Sequence, residues 1–253
     1  MHIEQRLEFL DSLPALPVTS TPSIRAFAPE LPIDPSKSSG TVGKEMINLF
    51  MEGVSIQNRK DVNNCKQLVQ NAATKLYDPQ KELYQWYKYY VETMQKLGWV
   101  IQASQLKEQT IRRSGLTMDT VALYVLQGLV GANISKLADM AGKGVAKIKN
   151  SDGLVNIYNS TANLGADAKF DMSPIWETKE GYPMMILNCN SLNVSESSRG
   201  ILWWKSTTQE TTIKTAAQAV YLNVDSYAGI RQGVLDKIGK TSRDALAEIP
   251  DMA

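Results

Sequence analysis

Apolar positions between residues 65 and 97 recur at helical spacing. Cys65, Val69, Ala72 and Leu76 step by four, three and four, so they line one face of a helix. Tyr77-Asp78-Pro79 closes that helix, because proline cannot continue it, and Asp78 is placed to cap the next one. Leu83, Trp86, Tyr90, Met94 and Leu97 form a second stripe, and Gly98 suits its C-cap. The pair predicts an αα-hairpin with a very short turn. Ile3, Leu7 and Leu10 predict a short amphipathic helix at the start, and helical character resumes from about Glu45. WVIQASQL (99–106) reads as a strand, and residues 117–131 and 133–149 as two more helices divided near Gly131.

The spacing changes after Gly153. LVNIYNS (154–160), AKFDMSPIWET (168–178), YPMMILNCNSL (182–192), GILWWKST (200–207) and TTIKTAAQAVYLNV (211–224) have strand lengths with turn-like breaks between them. Together they predict an antiparallel meander. A helix near 225–239, carrying Tyr227, Val234, Leu235 and Ile238, and a short helical tail complete the chain. Helices, then strands, then a helix argue for an α+β fold, with amphipathic helices packed on the antiparallel sheet. Six of the ten prolines fall between Pro14 and Pro35, which predicts an extended N-terminal arm over residues 1–43. Residues 44–253 then form one globular domain.

Composition narrows the function classes. The chain has 253 residues, 43% of them apolar, and a net charge of +1 from 27 basic and 26 acidic side chains. Binding to nucleic acid calls for a basic stripe, and none is present. The longest apolar run, TVALYVLQGLVGA (120–132), falls short of the roughly 18 to 20 residues that span a bilayer, and it contains Gln127. It reads as a core helix. The first residues, MHIEQRLEFLDSLPALPV, lack a continuous apolar segment, so the expectation is cytoplasmic synthesis without a signal peptide.

Candidate chemistry is sparse. His2 is the one histidine, so Ser-His-Asp and Cys-His arrangements are excluded, as are histidine-based zinc sites. Cys65 and Cys189 are too few for a disulfide framework or a structural metal site. SSGTVGKE (38–45) and MAGKGVAK (140–147) each lack the full phosphate-loop pattern, and the first has Glu45 where a hydroxyl would hold magnesium. The acidic residues are scattered, with no pair standing out for acid–base work. The sequons at 159–161 and 193–195 carry little weight without a secretion signal. The chain therefore reads as non-enzymatic, with no metal.

Cys65 belongs to its helical stripe as a small core residue. Cys189 shares one strand face with Met185 and Leu187, since strand side chains alternate. It points toward apolar surroundings, where a thiol is unreactive. Trp203 and Trp204 are adjacent, so a strand would send them to opposite faces. One joins the core, and the other needs a covering helix, a partner or a membrane interface.

The stretch DVNNCKQLVQNAATKLYDPQKELYQWYKYYVETMQKLGWVIQ (61–102), the late ILWWKSTTQE and the closing VDSYAGIRQGVLDKIGK resemble a family of bacterial and fungal proteins that includes the Erwinia virulence factor. The resemblance implies an α/β fold of unusual topology and a role in persistence in an insect gut. It also implies a fatty acid, palmitate, in thioester linkage on a cysteine. Carried onto this chain, that residue is Cys189. One acyl chain gives only marginal, reversible membrane binding, so a second contact is required, for which the unpaired tryptophan of Trp203/Trp204 and Lys205 are candidates. Met185 and Leu187 would line the acyl pocket. The partners implied are a membrane or lipid and a host gut factor, with export by a non-classical route. Two readings of Cys189 stay open, an inert core thiol and an acyl attachment point. The alternative function is a secreted pore-forming or binary-toxin-like insecticidal subunit. An enzyme using Ser, Lys or carboxylate chemistry ranks third.

Overall fold

The computed structural model describes residues 2–14, 34–102, 104–130, 134–158, 167–194, 200–243, 246–249 and 252. Helix α1 (Ile3–Ser12) comes first, followed by a hairpin of β1 (Ser39–Gly43) and β2 (Met46–Phe50). The αα-hairpin follows as α2 (Ile56–Leu76) and α3 (Leu83–Lys96). After β3 (Trp99–Val100) and β4 (Lys107–Ile111) come α4 (Met118–Val130), α5 (Ile134–Lys149) and α6 (Asp152–Tyr158). The long strands β5 (Asp167–Glu177), β6 (Pro183–Asn193) and β7 (Thr211–Leu222) precede α7 (Val224–Ala228), α8 (Arg231–Arg243) and β8 (Ala247–Ile249).

The strands form one eight-stranded sheet in the order β3-β7-β6-β5-β2-β1-β8, with β4 also paired to β7. β5, β6 and β7 are the expected antiparallel meander, while β2 joins β5 in parallel and makes the sheet mixed. Both faces are covered. Met185, Leu187, Cys189, Ala216 and Val220 meet α2, α3 and α8 on one face. Ile47, Leu49, Phe170, Met172 and Ile213 meet α4, α5 and α6 on the other. The fold is α+β, as the succession of elements implied. TVALYVLQGLVGA supplies most of α4, which buries Val121, Ala122 and Leu126. Among the described residues no helix is long and apolar enough to cross a membrane.

Several local expectations are corrected. The stretch from Glu45 opens as strand β2, and helix α2 starts only at Ile56, where the Ser55 hydroxyl caps the Asn58 N–H. The sheet begins at Ser39, inside the stretch expected to be an arm, and α1 rests against α8. Residues 15–33, most of the Pro-rich segment, lie outside the described residues. Residues 154–158 of LVNIYNS fall in helix α6, because Ser151 caps the Leu154 N–H and Asp152 occupies the first turn, and the last two residues lie outside the described residues. GILWWKST folds as a 3-10 turn over Ile201–Trp203, entered through Gly200 at φ 84°. Only Lys205 keeps a strand-like bridge, to Thr117.

Gly98 ends α3 as expected, at φ 105°, a conformation that side chains rarely adopt. A Cβ there would also lie 3.0 Å from Arg6 Nη1. Gly98→Ala is expected to cost about 1–3 kcal/mol of stability. The check is a lowered urea midpoint with an unchanged slope.

Candidate functional site

Helix α2 is buried on nearly all sides, so its polar residues must find partners inside the protein. Several of them fasten it to β1, β2, β5 and α8. Asn58 donates to Glu177 of β5 at 2.6 Å, and Arg59 donates to Ser39 of β1 at 2.6 Å. Asp61 takes a two-pronged bond from Arg231 of α8, at 3.0 and 2.9 Å. Asn63 accepts from Thr41 and Asn48, both at 2.8 Å.

At the centre Lys66 is fully buried. Its Nζ donates to Asn48 Oδ1 at 2.7 Å, to Ser173 Oγ at 2.7 Å and to Asp171 Oδ1 at 2.9 Å, and lies 2.8 Å from Asp171 Oδ2. Ser173 Oγ in turn donates to Asp171 Oδ1 at 2.8 Å. Burial lowers the Lys66 pKa, with Asp171 opposing and Lys169 adding to the fall. Lys169 pairs with Glu45 at 3.3 Å and lies 4.5 Å over the Trp86 ring. Glu45 stands in the β1–β2 turn at φ 54°, so the turn carries some strain to hold its place.

A second feature opens the sheet beside this cluster. The β5–β6 pairing runs to Phe170↔Asn190 and resumes at Ile175↔Met185. Pro174 lies in the interval and has no N–H to donate. The Asn188 amide fills the gap: it accepts from the Met172 N–H at 3.2 Å and donates to the Met172 carbonyl at 2.9 Å. Asn190 and Thr215 continue the chain of bonds, at 2.8 and 2.7 Å.

Cys189 sits next to Asn188 but faces the α2 side, opposite Ala216 of β7. Burial pushes its thiol up to about 12, with Lys169 pulling the other way and Asp171 and Glu45 adding to the rise. Cys65 reaches about 12 for the same first reason, with the nearby Tyr227 hydroxyl and Trp99 indole pulling the other way. The Tyr90 hydroxyl is buried in the same layer without a hydrogen-bond partner. Tyr87, by contrast, is hydrogen-bonded to the Ser104 hydroxyl. Cys189 is thus a protonated thiol at neutral pH with no imidazole near it, and it is unreactive as a nucleophile.

Of the residues singled out from sequence, Met185, Leu187 and Cys189 do share one apolar face. Trp203, Trp204 and Lys205 are not with them. Trp204 is buried in the cluster on the opposite face, with Trp203 half-buried against it, and Lys205 is exposed. Cys189 and the two tryptophans thus lie on opposite faces of the sheet. A 3-10 turn does not alternate sides, so neither tryptophan was left over by a strand. Cys189 lines none of the three surface grooves described, of which the largest, about 730 Å³, lies between β4 and α4. Among the described residues no group of His, Cys, Asp and Glu could hold a metal ion.

Sequence reasoning missed Asn48, Lys66, Asp171 and Ser173. The signal was available as two coincident patterns. Arg59, Asn63, Lys66 and Gln70 make a polar stripe on a helix whose other side is also apolar. Lys169, Asp171 and Ser173 alternate with Phe170 and Met172 in a long strand.

No family model matches the chain, and no curated protein matches it. Among solved structures it is similar to that of the Evf virulence factor, with a TM-score of 0.36 and 14% identity over 80% of this chain and 82% of the other. It is also similar to a delta-endotoxin, with a TM-score of 0.41 and 10% identity over 83% of this chain and 95% of the other. At these values neither likeness bears on what this chain does.

Two outcomes are expected. Asp171→Ala leaves a buried ammonium without its counter-charge, so it should lower stability by about 3–5 kcal/mol in chemical denaturation. The two thiols are held well above the free value of 9.0, near 12. Their contribution to stability is therefore complete below about pH 9 and is lost as pH rises toward 12, at roughly 1.4 kcal/mol per unit for each thiol. Native protein should not react with DTNB at pH 8, and alanine at both cysteines should flatten the alkaline loss.

Proposed function

We propose that the chain is a non-enzymatic virulence or host-interaction protein that acts in an insect host. In this reading it carries a fatty acyl group, palmitate, on Cys189 and associates with membranes or lipid. The observation that supports it is the direction of the Cys189 side chain. It leaves a central strand for the apolar layer under α2 and α3, beside Met185 and Leu187. The sulfur of a thioester cannot titrate, so acylation removes a group that this layer disfavours in its charged form.

The same direction supports an acyl chain held inside the protein. It starts between the sheet and the α2–α3 hairpin, where each buried methylene contributes about 0.8 kcal/mol. It reaches a membrane only if that layer stands off the sheet. Because the folded thiol is protonated and enclosed, transfer of the acyl group to Cys189 precedes closure of α2 over β6. Trp203 and Trp204 take no part, being packed on the other face.

Intact-mass spectrometry of protein made in a bacterium tests the reading. The expected mass exceeds that of the sequence by one palmitoyl group, and neutral hydroxylamine removes the excess. Cys189→Ser should lack the excess and should co-sediment less with vesicles. An unmodified mass in the unaltered chain ends the acylation claim. Dye release from vesicles by unmodified protein would instead favour the secreted toxin subunit.

A further inference from the structure

The functional reading makes no use of the cluster around Lys66, which has a chemistry of its own. A primary amine, a carboxamide and a carboxyl group meet there in the buried interior, each brought by a different element: Lys66 by α2, Asn48 by β2 and Asp171 by β5. We propose that Lys66 and Asn48 condense in the folded protein into an intramolecular isopeptide bond, with Asp171 as the proton-transfer group.

The geometry assigns the roles. Lys66 Nζ is 2.7 Å from Asn48 Oδ1 and is gripped by both oxygens of Asp171, at 2.9 and 2.8 Å. Asp171 receives a proton from the ammonium and leaves a neutral amine. Transfer of a proton within the pair removes two charges from an apolar interior, which lowers the barrier that such a step meets in water. Burial also lowers the Lys66 pKa, in the direction that favours the amine. Asn48 is the electrophile because Asp171, gripping Nζ with both oxygens, is taken up with receiving and returning the proton, while the Asn48 carbonyl carries a nitrogen that can leave as ammonia. Ser173, donating to Asp171 at 2.8 Å, holds the carboxyl group in place.

The balance is complete without an added reagent. The Asn48 carbonyl group turns its face toward Nζ, and the Nζ lone pair adds to Cγ. The Cγ–Nδ2 bond breaks, Nδ2 leaves with the protons it needs as ammonia, and Asp171 keeps or passes on the remaining one. Asn63 Oδ1 and Thr41 Oγ1 accept from Nδ2 at 2.8 and 3.2 Å, and so orient the departing nitrogen. Holding three groups in contact supplies the effective concentration that amide exchange lacks in solution. The product ties α2 covalently to β2 across the layer that encloses Cys189.

The test is the mass of the full chain after denaturation, followed by fragmentation of its tryptic digest. After neutral hydroxylamine has removed any acyl group, the expected mass is lower than that of the sequence by one ammonia, with a branched peptide joining the Lys66 and Asn48 segments. Lys66→Arg should restore the full mass, and so should Asp171→Asn, which keeps the shape of the side chain. A wild-type chain without a branched peptide overturns the proposal, whether its mass is intact or lowered by a linear succinimide at Asn48. A folded Asp171→Asn protein that still carries the branch removes Asp171 from its role. An acyl group on Cys189 adds mass and yields to hydroxylamine, and the isopeptide bond does neither, so the two claims succeed or fail separately.

Discussion

The amine of Lys66 and the carboxyl group of Asp171, brought together as a charged pair and sealed inside the protein as it folds, set the terms for everything around them. Two ions taken out of water cost several kcal/mol each, and their attraction repays that only when every remaining donor and acceptor is satisfied. Asn48 and Ser173 meet this demand directly, and Asn63 and Thr41 meet it for Asn48. The requirement fixes α2 in depth and rotation over the sheet. A one-residue shift in β5 would send Asp171 and Ser173 to the opposite face, into the apolar places that Phe170 and Met172 now occupy. A buried pair of this kind adds less to stability than to the choice of one arrangement over its neighbours.

That arrangement defines what Cys189 can be. With α2 held down, the thiol lies in a closed apolar layer with Cys65, Tyr87 and Tyr90. Its raised pKa follows from the closure and not from any residue dedicated to catalysis. The Asn188 bridge beside it mends the break that Pro174 makes in the sheet, and so keeps β5 and β6 aligned where the lysine is received. Chemistry at Cys189 and fastening of α2 are therefore aspects of one packing problem.

The elements with strong single periodicities were legible in the chain. The 3.6-residue stripes of α2 and α3 and the alternation in β5, β6 and β7 appear in the structure where the residues put them. The β1–β2 hairpin was not legible, because its turn is Lys44-Glu45, without the Asn-Gly or Asp-Gly pair that marks such turns. LVNIYNS was misjudged because Val155 and Ile157 suggest a strand, while the cap at Ser151 decides for a helix. Half of the candidate site was readable: strand alternation alone aligns Met185, Leu187 and Cys189. The polar half was not, since a Lys or Asp alternating with apolar residues looks the same whether water or another helix covers it. Only the coincidence of a polar stripe on α2 with polar alternation on β5 distinguishes the two, and that requires knowing that they meet.

Native-state hydrogen exchange of the α2 amides measures most directly whether this helix is locked to the sheet through Lys66. The account predicts that amides from Asn63 to Gln70 exchange as slowly as those of β6, and only through global unfolding. Exchange of α2 by a local opening, while β6 stays protected, would contradict it.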